Sequence, residues 1–201
     1  MVAVALRNQK VALPQNSGKI LKVSSQVSIP TLQQFTVCFE VARTNQKKGE
    51  TIFLYTDPGA NTFGFGLSTS SNVMVMTIDG QECAISPILT EADFTAVMKP
   101  FCLSWSSLSG TLNLYFDNNL RVLSCSASTG KVITGGGTFQ LGHNSLSFDG
   151  FIYNFRMWNY TMSKAEFSSL TCDVTGNVID WDNAFWDIPA GLAHTDSTLS
   201  C

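Results

Sequence analysis

Charge is scarce in this sequence. Only 13% of its 201 residues are acidic or basic, and 15 carboxylates against 12 Lys and Arg leave a formal charge of −3. The longest basic run is Lys47-Lys48, which reads as a solvated turn. Nucleic-acid binding draws its affinity from rows of cations on phosphates, so no nucleic-acid partner is expected. Long apolar runs are missing too, and no segment reaches the length of a bilayer span. Met1-Val2-Ala3-Val4-Ala5-Leu6 is short, lacks a basic leader and reads as a first edge strand. A secreted protein would then carry its signal peptide outside this sequence, with Met1 an expression start.

Metal-binding and catalytic patterns are equally thin. The two histidines, His143 and His194, are isolated, and no Cys-x-x-Cys or Cys–His pair occurs. Gly135-Gly136-Gly137 is followed by neither a Lys-Ser/Thr pair nor a helix, so it reads as a turn and not as a phosphate cradle. The glutamates (Glu40, Glu50, Glu82, Glu91, Glu166) are scattered, whereas glycoside hydrolysis needs two acids flanking one bond. No nucleophile turn accompanies either histidine. Asp180-Trp181-Asp182-Asn183 lacks the glycine and terminal glutamate of an EF-hand loop. Trp181 and Trp186 read as core and the aspartates around them as solvated. The expectation is a protein that is not an enzyme and needs no cofactor.

What the chain does have is alternation and cysteine. In Phe35-Thr36-Val37-Cys38-Phe39-Glu40-Val41, and again in Pro100-Phe101-Cys102-Leu103-Ser104-Trp105, apolar residues take one face and a cysteine takes the other. Paired strands bring opposing Cβ atoms within disulfide range, so two such strands can be bridged. Further strand signals fall at 19–23, 51–56, 62–67, 73–78, 82–86, 112–116, 120–125 and 138–142. Asp79-Gly80 marks a hairpin turn. Phe151 to Trp158 is apolar on both faces, as for a central covered strand. A helix is expected from Ser163 to about Leu170, opened by a Ser163/Glu166 capping box. Strand after strand with one late helix predicts an all-β sandwich, and no repeat or linker divides the 201 residues. The six cysteines (Cys38, Cys83, Cys102, Cys125, Cys172 and Cys201) suit three disulfides in an oxidising compartment, hence an extracellular protein.

Four segments together resemble the pentraxin domain. They are Phe35-Thr36-Val37-Cys38; Cys102-Leu103-Ser104-Trp105-Ser106-Ser107; Phe151 to Trp158 followed by Met162-Ser163; and Gly176-Asn177-Val178-Ile179-Asp180-Trp181, which resembles the closing strand. The resemblance spans roughly residues 18–188. It implies a two-sheet jelly-roll sandwich of the laminin-G-like and concanavalin-like kind, with one short α-helix near residues 163–170 on an outer face. It also implies the Cys38–Cys102 bridge, worth about 4 kcal/mol on the chain-entropy model. Of the remaining cysteines, Cys172 and Cys201 are paired here because one follows the helix and the other ends the chain. That bridge would tether the tail 189–201 to a single domain over 1–201. Cys83 and Cys125, each after a hairpin turn, are left for each other.

The departures from the family bear on function. Its signature opens with His two residues before the cysteine, where this chain has Pro100. Soluble pentraxins hold two calcium ions through an Asp-Asn pair and an acidic Glu-Gln-Asp loop. The aligned positions here are Ala60-Asn61 and the shorter loop 141–149, in which only Asp149 is acidic. Calcium asks for six to eight oxygens, several charged, so no family-type metal site is expected. Pentraxin-like domains also occur as N-terminal modules of larger proteins, including adhesion G-protein-coupled receptors. The resemblance therefore points to a calcium-independent extracellular recognition or self-association module of a cell-surface receptor. Its partners would be an extracellular protein or glycan and further copies of itself, with a two-fold dimer the commonest closed arrangement. The alternative is a secreted calcium-dependent lectin or opsonin of the soluble pentraxin kind. Asn159-Tyr160-Thr161 is the one sequon, making Asn159 the candidate glycosylation site.

Overall fold

The computed structural model describes residues 3–4, 6–14, 21–23, 28–45, 49–68, 73–85, 90–171, 173–183 and 186–199. In chain order its elements are β1 (Ala3–Val4), β2 (Gln9–Leu13), β3 (Leu21–Val23), β4 (Gln34–Arg43), β5 (Glu50–Thr56), β6 (Thr62–Leu67), β7 (Met74–Ile78), β8 (Gln81–Ala84), β9 (Lys99–Ser106), β10 (Thr111–Phe116), β11 (Asn119–Ser124), β12 (Thr138–Leu141), β13 (Gly150–Trp158), α1 (Lys164–Ser169), β14 (Trp186–Asp187) and β15 (Ala193–Thr195). They form an eight-stranded sheet, β1-β14-β3-β12-β5-β6-β7-β8, and a seven-stranded sheet, β11-β10-β9-β4-β13-β2-β15. The pairings between the named strands are antiparallel, the pattern of a jelly-roll sandwich.

Alternation sets which side chains meet between the layers. Phe35, Val37, Phe39 and Val41 of β4 and Phe101, Leu103 and Trp105 of β9 are all buried in one core. Facing them, Phe53, Phe63 and Phe65 supply rings from the other sheet: Phe35 to Phe63 is 4.6 Å between centroids and Phe53 to Phe155 is 5.5 Å. Phe94, Phe101 and Phe116 stack in a row at 4.8 and 4.5 Å. Such offset and edge contacts add about 0.5–1.5 kcal/mol each beyond burial.

The outer face of the seven-stranded sheet has its own, smaller cluster: Cys38, Cys102, Trp158, Met162 and Phe167. Here α1 lies over β4, β9 and β10, with Phe167 stacked on Tyr115 at 5.4 Å. Burying Phe167 contributes about 1.5–3 kcal/mol. The helix starts at the capping box: Ser163 N donates to Glu166 Oε2 at 2.7 Å, and Glu166 N donates to Ser163 Oγ at 3.3 Å.

Cys38 and Cys102 sit opposite each other across β4 and β9 and are disulfide-bonded, with their Cα atoms 4.1 Å apart. That spacing belongs to a pair that exchanges no backbone hydrogen bonds. Cys83 of β8 is bonded to Cys125, just beyond β11, so one disulfide staples an edge strand of each sheet. Cys172 and Cys201, and the bridge expected between them, lie outside the described residues.

Three local expectations change. Gly176 to Trp181 does not form the closing strand. It is a turn with one bridge, Met157 to Ile179, shaped by the Asp180 carboxylate, which accepts from Gly176 N at 2.6 Å and Asp182 N at 3.0 Å. Asp180 is accordingly buried and not solvated, at 1% exposure, while Trp181 and Trp186 are core as expected. The chain end pairs in the sheet instead of depending on a covalent anchor alone: β15 runs along β2, and Lys10 Nζ meets Asp196 Oδ2 at 2.6 Å.

Candidate functional site

Two regions bear on function: the positions aligned with the family's calcium ligands, and a cleft beneath α1. The first lie along β5. Asn61 stands at the far end, in the β5–β6 turn, where Thr56 pairs with Thr62. Its amide N and Nδ2 donate to Asp57 Oδ1 and Oδ2 at 2.8 and 3.2 Å. The loop that ends in Asp149 starts at the near end, where Gly142 N bonds Ile52 O at 2.8 Å and Thr51 N bonds Leu146 O at 2.6 Å. At about 3.3 Å per strand residue, five residues separate these positions by roughly 15–17 Å. Asn144 and Asp149 therefore do not converge with Asn61 on one ion.

The carboxylates nearby are also engaged. Asp149 Oδ2 accepts from Asn45 Nδ2 at 3.1 Å. Glu50 is ion-paired with Arg43, both buried, and the Arg43 guanidinium lies over the rings of Phe94 and Phe148. Asp79 holds Lys131 at 3.0 Å. Among the described residues no three His, Cys, Asp or Glu side chains gather as metal ligands. The residues present do not fit the family's calcium ions.

The second region is a cleft of about 540 Å³ on the outer face of the seven-stranded sheet, walled by α1, β9, β4 and β13. Its floor is the Cys38–Cys102 disulfide, flanked by Trp158, Phe167, Met98 and Pro100. Glu40, two residues beyond Cys38 on the same face, projects into it opposite Pro100 in the β4–β9 register. Proline is tolerated at that strand position because its nitrogen points away from β4, past the end of β10 at Phe116.

A bulge brings an amide to Glu40. Between the pairs Glu40–Tyr153 and Cys38–Arg156, β13 has one residue more than β4. Asn154 sits in the bulge with φ of 55°, a left-handed conformation that asparagine adopts more readily than most residues. Its Nδ2 donates to Glu40 Oε1 at 3.4 Å. The extra residue also keeps Ile152 and Phe155 both in the core. Burial pushes the Glu40 carboxyl above its ordinary range, and the Asn154 hydrogen bond and Arg156 charge pull it only part of the way back. Arg156 is held from behind: its Nη1 donates to the Thr171 and Val174 carbonyls at 3.1 and 2.7 Å, and its Nη2 is 3.7 Å from Asp182. Tyr153, beside Glu40 in register, has its phenol pushed up to about 12, first by burial and then by the Glu40 charge.

Glu40 was counted among scattered glutamates in the sequence. Two signals could have singled it out: it shares the face of Cys38, and it lies across from the position where His gives way to Pro100. Asn159, the sequon residue, is exposed at the end of β13, and its Oδ1 accepts from Asn177 Nδ2 at 2.8 Å. Among the described residues no helix is long and apolar enough to cross a membrane.

Comparison with known proteins agrees with this architecture. The model of the Pentaxin family matches residues 10–194. Adhesion G-protein coupled receptor G6 of Danio rerio is 48% identical over 208 residues, covering 100% of this chain and 18% of the receptor. Among solved structures, the full extracellular region of zebrafish Gpr126/Adgrg6 matches with a TM-score of 0.90 and 43% identity, covering 98% of this chain and 27% of that one. The native heptameric SAP-like pentraxin from Limulus polyphemus shares the fold, with a TM-score of 0.77 over 99% of this chain and 100% of its own, at 18% identity.

Proposed function

This chain belongs to the pentaxin family, and from that premise we propose that it is a non-enzymatic recognition and self-association module of a cell-surface receptor, working without calcium. The chain is extracellular, in keeping with its disulfides and its likeness to the extracellular region of an adhesion receptor. The observation that carries the reading is the separation of Asn61 from Asp149 by the length of β5, with Asp57, Glu50 and Asp149 each engaged by a neighbour. A domain whose carboxylates around β5 are taken up by neighbours and do not converge on a metal ion recognises partners through its own surface.

Copies of the chain form a homo-oligomer, with a two-fold dimer the simplest closed arrangement. The heptameric Limulus relative supports assembly as a family habit. Residues 1–201 act as one domain, Cys172 pairs with Cys201, and Asn159 carries a glycan where it is exposed. Sedimentation velocity in calcium and in chelator tests the central part. The same associated species is expected in both. A pure monomer at high concentration, or association only with calcium, contradicts it.

A further inference from the structure

We propose that the cleft beneath α1 receives one basic side chain, a lysine or arginine from a segment of a partner protein, with its stem on the Cys38–Cys102 disulfide and Phe167 and its cationic head on the Glu40 carboxylate. The proposal rests on the recognition reading above and names the chemistry that one part of the surface selects.

Shape gives the first argument. A cavity of about 540 Å³ with a disulfide, aromatic rings and a thioether on one side and polar groups such as Glu40, Asn154 and Arg156 on another has the proportions of a ligand site. It is larger than one long side chain and leaves room for flanking backbone. Lysine and arginine bury their methylene stems on apolar surface while the head group keeps a polar partner, and this floor and end-group match that division.

Charge gives the second. Two ionised groups line the cleft, Glu40 and Arg156. Arg156 directs its hydrogen bonds away from Glu40, to the Thr171 and Val174 carbonyls, and lies near Asp182, so it acts on Glu40 through its charge and not by a direct contact. Glu40 accepts one hydrogen bond, at 3.4 Å, from Asn154. A carboxylate so placed repels anions and is poorly served by an apolar guest. An ammonium or guanidinium gives Glu40 the direct ion pair that Arg156 does not make, and the carboxyl raised by burial is consistent with that. The bulge at Asn154 adds to this, because it spends a left-handed residue on aiming an amide at the same carboxylate.

The test uses the 201-residue chain labelled with ¹³C at its methionine methyls. Met98 lines the cleft, whereas Met74 and Met76 are buried in the main core and report on the fold. Nα-acetyl-lysine methylamide is the probe, and its Nε-acetylated form is the uncharged control. The lysine probe is expected to shift Met98 saturably, with a dissociation constant of about 1–10 mM, and the acetylated form is not. Glu40→Gln is expected to weaken binding about tenfold or more, with Met74 and Met76 unmoved. Equal shifts from both probes, full binding by Glu40→Gln, or no Met98 response each overturns the proposal. Sedimentation of the same samples separates the two readings: an oligomer that persists without a Met98 response removes the basic side chain and leaves surface recognition standing.

Discussion

Around β5 the acidic side chains are taken up by their own neighbours, whereas beneath α1 Glu40 is left with one long hydrogen bond. Asp57 clamps Asn61, Glu50 is ion-paired with Arg43, and Asp149 accepts from Asn45. These contacts hold turns and strand ends in place, so the region aligned with a metal site has become structural. Glu40 costs the fold stability, since burial disfavours its charged form, and it faces a cavity. Counting carboxylates would rank the first region above the second. Asking what each carboxylate already touches reverses the order.

The comparison is open to attack at both ends. The largest effect is expected at the buried ion pair. Arg43→Met leaves the Glu50 carboxylate charged at 2% exposure and should destabilise by about 3–5 kcal/mol in chemical denaturation. Arg43→Met with Glu50→Leu should recover most of that loss, because no charge is then stranded. Next comes Asp57→Ala, which removes both acceptors of Asn61 and should cost about 1–3 kcal/mol. A loss near zero would mean that the turn does not need its carboxylate. Ser163→Ala, at the start of α1, should cost about 1 kcal/mol and speed hydrogen exchange at the Phe167 amide, with the cleft wall fraying first.

The smallest effect has the opposite sign. The folded Glu40 carboxyl is raised above its unfolded value, so ionisation opposes folding at neutral pH, and stability is regained as pH falls from the folded value toward the unfolded one. Glu40→Gln should therefore raise the melting temperature at pH 7.5, by about 1–3 °C. The gain should shrink toward acid pH, where Glu40 itself is neutral. A drop in melting temperature at pH 7.5 would place Glu40 with the structural carboxylates and erase the contrast.

Most of the sandwich could be read from the sequence because alternation and turn residues are local signals. Phe35 to Val41 and Phe101 to Trp105 show their faces in the residue order alone, and β6 falls at 62–67 as its pattern indicates. β2 and β15 carry no such signal. Gln9–Leu13 and Ala193–Thr195 are short, and they become strands by pairing with each other across nearly the whole chain. Gly176 to Trp181 had the composition of a strand, yet the Asp180 side chain bonds its own backbone and turns it. The cleft was hidden for a related reason. Its shape depends on one extra residue in β13, and a bulge leaves no mark in a periodic pattern.

Titration calorimetry of the 201-residue chain with calcium at pH 7.5 tests the account most directly. No saturable heat is expected at micromolar calcium, with or without Asn61→Ala. A micromolar site that disappears in Asn61→Ala would show that β5 still holds an ion, and would contradict a module that recognises its partners without one.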